Sequence, residues 1–447
     1  MRIGMLTGLV FAMLLGLAVE QPVTAGEVDD LIEVLQSEKD AERIEAIVQL
    51  GERGSAAAPA VPALSRMLKE QNLVIQHEAI ITLGRIGPLA GSAVEPLIGV
   101  LKVPSELLRH SAVHALRMIG EEAEPALPHL RQFLSSKDQH LAVAAAWAMI
   151  EISNRDSAVV SAALPVLSTA LGSEDPSIQA DAIFAMASAG PEVVKPLALM
   201  VRSDSPALAV GSIDALASMG PSAAPAVPLL LDAAQSEDSL IAWHAARAVG
   251  AIHGQANLAV PVLTGLLASE SAQVRFSAAR ALGSYGEEAK SAVNELAALL
   301  AKDPEASVRR AAAQSLTEMG PAAADAVSQL VAALDDEAGS VTLDAAQSLA
   351  AVGAPAVPAV TRLLKRPEYQ ALAANILGEI GPAAAPAAGE LTKLLSSEQA
   401  RIRSEALLAL ASIGPDARTA AESVLIERLK DPQATGRAGA AYALARL

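Results

Sequence analysis

Histidine provides the residues of this 447-residue chain whose spacing could hold a metal ion. His110 and His114 are four positions apart, which places both imidazoles on one face of a helix at the spacing of metal ligands. Neighbouring helices pack about 8 to 10 Å apart, so ligands from different helices would have to reach across. We therefore predict solvated or hydrogen-bonded histidines and no metal site. His77, His110 and His114 are the candidate ligands of the alternative.

Other catalytic constellations are not recognisable in the sequence. The chain has no cysteine, and it shows neither a glycine-rich phosphate loop nor a Ser-His-Asp arrangement. Its 50 acidic residues include Asp181, Asp344 and Glu405, whose placement is typical of solvated helix flanks. The sequence therefore favours a non-catalytic protein and indicates no cofactor.

The elements that must position any site follow from an internal repeat with a period of about 33 residues. Each copy closes on a glycine or, twice, on another residue: Gly54, Gly87, Gly120, Ser153, Gly190, Gly220, His253, Gly286, Gly320, Gly353, Gly381 and Gly414. A further copy follows Gly414, which makes thirteen. A fixed period of this size is typical of a solenoid built from short supersecondary units.

Within each copy the apolar residues follow the spacing of two helices. Counting back from the closing residue, the positions at minus 12, minus 8 and minus 4 form one stripe on a helix. Minus 8 is almost always alanine: Ala46, Ala79, Ala112, Ala145, Ala182, Ser212, Ala245, Ala278, Ala312, Ala345, Ala373, Ala406 and Ala440. We predict that two helices approach closely there, because only small side chains occur. Apolar pairs four apart after the closing residue, such as Leu296 and Leu300, indicate the other helix.

Glycine, proline and short polar residues mark the helix ends. A closing glycine suits a helix C-terminus that needs a left-handed backbone, and Gly-Pro pairs let a new helix begin without losing a hydrogen bond. At minus 17 most copies carry Ser or Asp, such as Ser136 and Asp303, so we predict that this turn supplies the N-cap of the second helix. Prolines such as Pro62 and Pro261 are predicted to bend first helices that neighbours support.

The Asp-Pro-Glu-x-x-Val-Arg opening at Asp303, the Ala-rich helix and the Gly-Pro joint resemble HEAT-like repeats, in particular the short variety of phycobilisome lyases. The resemblance covers essentially everything after residue 26. It implies an all-α, right-handed α-solenoid, a superhelix of about thirteen two-helix repeats in a single array over residues 26–447. Such repeats serve as scaffolds, inhibitors and cofactor-attachment enzymes alike.

The first 25 residues predict a secretory signal peptide. Arg2 supplies a basic start, an uncharged stretch covers residues 3–19, and Val23 and Ala25 are the small residues of a cleavage site. We therefore predict a mature chain that begins at Gly26, is exported to the periplasm or the extracellular space, and does not insert into a membrane. An uncleaved membrane anchor is the alternative.

A formal net charge of −17 disfavours nucleic acid and anionic membrane surfaces as partners. The resemblance leaves one enzymatic alternative, a metal-dependent or cofactor-handling enzyme of the HEAT-like hydroxylase or lyase type. Deoxyhypusine hydroxylase uses several His-Glu pairs, whereas this chain has one, His77-Glu78. Bilin lyases work in the cytoplasm, which the predicted export contradicts.

The few aromatic residues fall on one predicted face. With the minus 12, minus 8, minus 4 stripe buried, the positions at minus 13, minus 10, minus 6 and minus 3 lie opposite it, on the side that the resemblance implies is concave. Five of the eight aromatic residues beyond the signal occupy minus 6 or minus 10: Trp147, Phe184, Tyr442, Trp243 and Phe276. Arg247, Arg280 and Arg310 share these positions in consecutive copies.

Aromatic and guanidinium groups are enriched in binding hot spots. We therefore predict an exported scaffold that binds a protein partner on the concave face through seven residues: Trp147, Phe184, Trp243, Arg247, Phe276, Arg280 and Arg310. The alternative is that these large side chains only fill a tightly curved groove.

Overall fold

The structure is a computed structural model that describes residues 25–430 and 434–447. Residues 1–24 of the predicted signal peptide lie outside the described residues, and so does Asp431. The chain divides into two compact units, the first ending at Val193 and the second beginning at Val194. Each unit is described by itself, and the single array over residues 26–447 stays a prediction.

The first unit alternates short and long helices. They are α1 (Ala25–Val34), α2 (Asp40–Glu52), α3 (Val61–Met67), α4 (Leu73–Ile86), α5 (Val94–Val100), α6 (Glu106–Ile119), α7 (Leu127–Phe133), α8 (Gln139–Ile152), α9 (Ser157–Leu171) and α10 (Pro176–Ser188). Short 3-10 segments cover Gly54–Ala60, Gly87–Ala93, Gly120–Ala126 and Pro191–Val193.

The second unit continues the alternation. Its helices are α11 (Val194–Met200), α12 (Pro206–Met219), α13 (Val227–Ala234), α14 (Ser239–Ile252), α15 (Ala256–Leu266), α16 (Ala272–Ser284), α17 (Val293–Lys302), α18 (Ala306–Met319), α19 (Val327–Ala332), α20 (Gly339–Val352), α21 (Val357–Leu363), α22 (Gln370–Ile380), α23 (Ala388–Leu394), α24 (Ala400–Ile413), α25 (Arg418–Arg428) and α26 (Ala434–Arg446). Its 3-10 segments are Gly220–Ala226, Gly286–Ala292, Gly320–Ala326, Ala333–Asp335, Ala354–Ala356, Pro367–Tyr369, Gly381–Ala387 and Gly414–Ala417.

Odd-numbered helices are the first helix of a copy and even-numbered helices are the second. The even-numbered helices correspond one to one with the thirteen predicted copies. The described residues contain no strand, and the repeated helix pairs make the fold an all-α solenoid. The right-handed superhelix stays a prediction.

The closing glycines behave as predicted. Each has a positive φ between 52° and 87°, a conformation that L side chains rarely adopt. His253 also has a positive φ of 51°, although its ψ of 56° differs from the −142° of Gly87. After Ser153 the positive φ passes to Asn154 and Arg155. The helices that follow these two substitutes, α9 and α15, begin without a 3-10 segment.

Prolines of the first helices have two different positions. Pro62 is the second residue of α3, immediately after a 3-10 segment, so the prediction that it bends a helix is wrong. A missing N–H is harmless in the first turn, because that donor has no partner within the helix. Pro261 does lie inside α15.

The minus 8 position is buried in every copy, as predicted, and no side chain there is more than 2% exposed. A close backbone approach also occurs elsewhere, between minus 3 of one second helix and minus 5 of the next. A Cβ placed on Gly250 would lie 2.8 Å from the Cα of Ala281, and one on Gly84 would lie 3.0 Å from the Cα of Ala115. The prediction that minus 3 belongs to the open face is therefore wrong, because consecutive second helices pack against each other at that position.

We expect Gly250→Ala to lower the free energy of unfolding by about 1 to 3 kcal/mol. The new methyl group would clash with the backbone of Ala281, which cannot move away as a flexible side chain can. Gly265 in α15 is the matched control, because a Cβ there meets nothing within 4 Å. Gly265→Ala should raise stability by up to about 1 kcal/mol through helix propensity. Denaturant melts of both variants check this, and a stabilising Gly250→Ala would refute the close α14–α16 approach.

Of the second helices whose first turn the structure describes, six have a side-chain N-cap, and it lies at minus 15, two residues after the predicted position: α4, α6, α8, α10, α12 and α14. Asp138 caps α8 by accepting a hydrogen bond from the N–H of Leu141 at 3.1 Å, and Asp238 caps α14 from Leu240 at 2.9 Å. Ser136, at the predicted position, accepts from the N–H of Asp138 at 3.1 Å. The predicted turn therefore supplies the N-cap in these helices, while the side chain at minus 17 hydrogen-bonds within the turn and stabilises it.

Acidic residues at minus 17 also join consecutive second helices. Asp336 accepts hydrogen bonds from Nε and Nη2 of Arg309 at 2.7 and 2.8 Å. Asp303 accepts from Nε and Nη2 of Arg275 at 2.6 and 3.0 Å. These four side chains are 3 to 12% exposed. Nearly buried bidentate ion pairs therefore connect α16 to the turn before α18, and α18 to the turn before α20.

Among the described residues, no single helix is both long and apolar enough to cross a membrane. One bent pair of helical segments, Pro176–Ser188 with Pro191–Met200, meets the requirement by length and composition only.

Candidate functional site

The second unit contains a pocket of about 850 Å³ formed by α14, α16 and the start of α18. Its lining residues are Trp243, Arg247, Gly250, Ala251, Ala272, Gln273, Phe276, Ser277, Arg280, Ala281, Ser284, Glu305 and Ser307. We call it the aromatic pocket. It brings together four of the seven predicted binding residues: Trp243, Arg247, Phe276 and Arg280.

Small residues leave room for the aromatic pocket between two large rings. Gly250, Ala281 and Ser284 line it where α14 and α16 approach closely. Trp243 is half-buried, with its ring centroid 3.6 Å from that of His244, while Phe276 is 41% exposed. The Phe276 ring therefore offers apolar surface that a partner can contact. The Trp243 ring beside it is already packed against His244.

Both arginines of the aromatic pocket are held by carboxylates of neighbouring helices. Nη2 of Arg247 donates to Oδ1 of Asp214 at 2.6 Å, and His244 Nδ1 lies 2.7 Å from the same oxygen. Nη1 of Arg280 donates to Oε1 of Glu318 at 3.0 Å. The arginine side chains stay 47% and 40% exposed. The pairs fix each guanidinium in place and still leave part of it for a ligand.

Arg310 does not line the aromatic pocket. Its Nε donates to Oδ2 of Asp344 at 2.8 Å, and the amide of Gln314 donates to the same oxygen at 2.9 Å. Asp344 is only 5% exposed, so its prediction as a solvated helix flank is wrong. The carboxylate tolerates burial because two donors from α18 satisfy it.

We expect Arg310→Ala to cost about 1 to 3 kcal/mol of folding stability, because it removes a donor from the buried carboxylate of Asp344. Arg247→Ala is the matched comparison. Each carboxylate keeps a second partner, Gln314 for Asp344 and His244 for Asp214, but the Asp214 side chain is 22% exposed whereas that of Asp344 is 7% exposed. That variant should cost less than about 1 kcal/mol. Thermal or denaturant melts compare the two, and equal losses would contradict the assignment of Arg310 to a structural pair.

In the first unit, Trp147 and Phe184 form a separate stack. Their ring centroids are 6.3 Å apart with an interplanar angle of 14°, and the guanidinium carbon of Arg117 lies 4.0 Å from the Trp147 ring centroid. Trp147 Nε1 donates to Glu151 at 3.1 Å, and Phe184 is 58% exposed. The sequence correctly placed these rings on neighbouring helices, but it gave no sign of the guanidinium.

Histidines of the first unit do not form the ligand set considered from the sequence. His110 Nε2 lies 2.7 Å from Oδ2 of Asp138, and His77 Nδ1 lies 3.5 Å from a carboxylate oxygen of Glu78. The three-residue group that the described residues place within ligand distance is Glu106, His110 and Asp138. It includes neither His77 nor His114.

Sequence reasoning missed the small lining residues of the aromatic pocket and its acidic member, Glu305. A signal existed in Ala251, which is small at a position where most other copies carry Ser, Met, Glu or Arg, whereas Gly250 and Ala281 occupy positions that are small in most copies. Small residues also mark close packing, so this signal alone could not separate a pocket from a tight contact.

The fold places the chain among the all-α solenoids, and comparison with protein families specifies which kind of solenoid it is. A model described as HEAT repeats matches residues 28–117, 75–150, 194–283, 227–317, 293–370 and 358–445. Because these matches cover well over half of the chain, the protein belongs to the HEAT-repeat family. A search of curated proteins found no match.

Solved structures with a similar fold include several Kap proteins. Kap121p bound to Ste12p has a TM-score of 0.59 at 14% identity, over 95% of this chain and 53% of that chain. Kap121p bound to Pho4p has a TM-score of 0.60 at 14% identity, over 96% and 54%. The Kap95:Nup1 complex gives 0.62 at 15% identity, over 94% and 68%. The chain spans about half the length of the Kap121p chains, and these identities show the fold alone.

Proposed function

We propose that this protein is an exported, non-catalytic scaffold that binds a segment of a protein partner in the aromatic pocket. One observation carries the proposal: two consecutive repeats place Trp243, Arg247, Phe276 and Arg280 around one pocket of about 850 Å³. Aromatic and arginine side chains dominate binding energy at protein interfaces. A partner side chain could bury the exposed ring of Phe276 while its polar groups meet the two guanidinium groups.

The size and placement of the pocket support a protein partner. Its lining spans two adjacent second helices and the start of a third, so it suits an extended segment that crosses several repeats. The surrounding ion pairs pre-organise the arginines, which lowers the entropy lost on binding. The similar structures of Kap121p with Ste12p and Pho4p, and of Kap95 with Nup1, are complexes with other proteins, which favours the same use here.

The non-catalytic assignment rests on how the carboxylates beside three of the predicted binding arginines are used. Asp214, Glu318 and Asp344 each hold an arginine of a neighbouring helix, so these carboxylates serve as structural partners. The Asp303 opening further supports repeats of the short phycobilisome-lyase type as part of this proposal.

Export is the second part of the proposal, and it rests on Arg2, the uncharged stretch and the Val23-x-Ala25 site. We expect N-terminal sequencing of the protein recovered from the periplasm or the medium to begin at or near Gly26. A mature protein that retains Met1 would contradict cleavage.

A comparative capture experiment tests the binding function. Wild-type protein and the Trp243→Ala variant are immobilised and exposed to envelope proteins of the source organism, and circular dichroism confirms that both are folded. We expect at least one protein to be retained by the wild type and lost by the variant. Equal retention by both proteins would reject the aromatic pocket as the binding site.

A further inference from the structure

We propose that Glu106, His110 and Asp138 form a binding site for a divalent transition-metal ion, between two consecutive second helices of the first unit. One ligand atom from each of these three side chains lies within 4.8 Å of the other two. The site is separate from the aromatic pocket and independent of the partner-binding function.

The repeat geometry brings the three side chains together. Glu106 and His110 are four residues apart on α6, so they project from one face of that helix. Asp138 is the N-cap of α8, where its Oδ1 accepts the N–H of Leu141. Its other oxygen, Oδ2, faces His110 at 2.7 Å. A metal ion on Oδ2 would therefore leave the helix cap intact.

Charge distinguishes this cluster from the contacts between repeats that contain an arginine. The carboxylates of Asp214, Asp303, Asp336 and Asp344 are each paired with an arginine. In the described part of the chain, neither Glu106 nor Asp138 forms an ion pair with lysine or arginine, and the basic side chain that Asp138 contacts is His110. Two carboxylates thus face each other without a fixed positive charge, which a divalent ion would supply.

His244 and Asp214 show what the same contact looks like when its charge is balanced. His244 Nδ1 and Asp214 Oδ1 are also 2.7 Å apart, but the third group there is the guanidinium of Arg247. At His110 the third group is the carboxylate of Glu106. The two contacts share one distance and differ in the sign of the third charge, which makes His244 a matched control.

The donor set indicates the class of metal. One imidazole nitrogen and two carboxylate oxygens suit zinc and its first-row neighbours, while calcium and magnesium prefer oxygen ligands alone. Three protein ligands leave coordination positions for water. Glu106 is exposed, and the side chains of His110 and Asp138 are 30% and 24% exposed, so an ion can enter. It would replace the proton between His110 and Asp138 and tie α6 to the start of α8.

Isothermal titration with Zn²⁺ tests the site on the full chain, freed of metal with a chelator, using the wild type and three variants. We expect one site per wild-type chain and at least tenfold weaker binding by Glu106→Gln. His110→Ala should lose the site, whereas His244→Ala should bind like the wild type. A thermal melt of the wild type should also shift upward with Zn²⁺, because the ion binds only the folded chain.

Two results would overturn the site. One is no Zn²⁺ uptake by the wild type. The other is uptake by His110→Ala and Glu106→Gln equal to that of the wild type, which would assign the ion to scattered surface carboxylates. Circular dichroism of each variant confirms folding, and Glu106→Gln keeps the test valid if His110→Ala does not fold, because Glu106 is exposed.

Discussion

Replacing Asp336 with asparagine is expected to lower the free energy of unfolding by about 3 to 5 kcal/mol at neutral pH. The Asp336 carboxylate is 10% exposed and receives two hydrogen bonds from Arg309, which is 9% exposed. Arg309 also donates to the backbone oxygen of Asp303 at 2.9 Å, so it cannot turn toward water when its partner loses its charge. The variant would therefore leave a nearly buried guanidinium whose remaining counter-ion is the exposed carboxylate of Glu337, 3.6 Å away.

The same pair predicts a dependence on pH. Hydrogen bonds from Arg309 hold the pKa of Asp336 below its ordinary value of 3.8, against the opposing effect of burial. A depressed carboxylate pKa contributes stability that is complete above the ordinary value and is lost as the pH falls through the folded-state pKa. The stability difference between the wild type and Asp336→Asn should therefore shrink as the pH falls below 3.8.

Asp232→Asn is the matched control for this prediction. Asp232 pairs with Arg202 through one contact of 2.9 Å, but these side chains are 66% and 62% exposed. Exposed pairs contribute less than about 1 kcal/mol, so this variant should unfold nearly like the wild type. Denaturant titrations at neutral and acid pH measure both. Equal effects of the two substitutions would refute a structural role for the Arg309–Asp336 pair.

Truncating Phe276 to alanine is expected to weaken binding of the captured partner by about 2 kcal/mol or more, roughly a 30-fold rise in Kd. The ring lines the aromatic pocket and is 41% exposed, so a partner can cover it while the free protein gains little from it. The melting temperature should therefore change little. Titration calorimetry with the isolated partner, together with a thermal melt, gives both quantities.

Leu343→Ala is the control for Phe276→Ala. Leu343 occupies the same repeat position on α20, is 59% exposed and does not line the aromatic pocket. Its loss should leave both affinity and stability nearly unchanged. If Phe276→Ala instead lowers the melting temperature and leaves the affinity intact, the ring only fills the groove and the binding site lies elsewhere.

The helix pairs were predictable because the same residue types recur at the same positions in most copies. A single alanine says little about packing, but alanine at minus 8 in nearly every copy identifies a buried contact, and every such side chain is buried. The closing glycines were predictable for the same reason, since a positive φ restricts the residue type at each copy. Helical geometry then placed Trp243 and Phe276 on the accessible face.

The partners of the charged side chains could not be predicted. Asp344 and Glu318 have the spacing of solvated helix residues. In the structure, however, Asp344 is buried and forms an ion pair with Arg310, and Glu318 forms an ion pair with Arg280. Such pairs depend on the offset between neighbouring helices, which the spacing within one helix does not contain. The cluster of Glu106, His110 and Asp138 was missed for the same reason, because Asp138 contacts His110 from the next copy.

Site-directed photo-cross-linking tests most directly whether the aromatic pocket binds a protein. Gln273 is exposed and lines the pocket, so Gln273→p-benzoylphenylalanine places the photoreactive group beside any bound segment. Leu258→p-benzoylphenylalanine on the exposed surface of α15 is the control. After irradiation in the source organism, we expect a discrete adduct with one protein from position 273, abolished by adding Phe276→Ala, and none from position 258. The same adducts from both positions, or an adduct unaffected by Phe276→Ala, would contradict partner binding in the aromatic pocket.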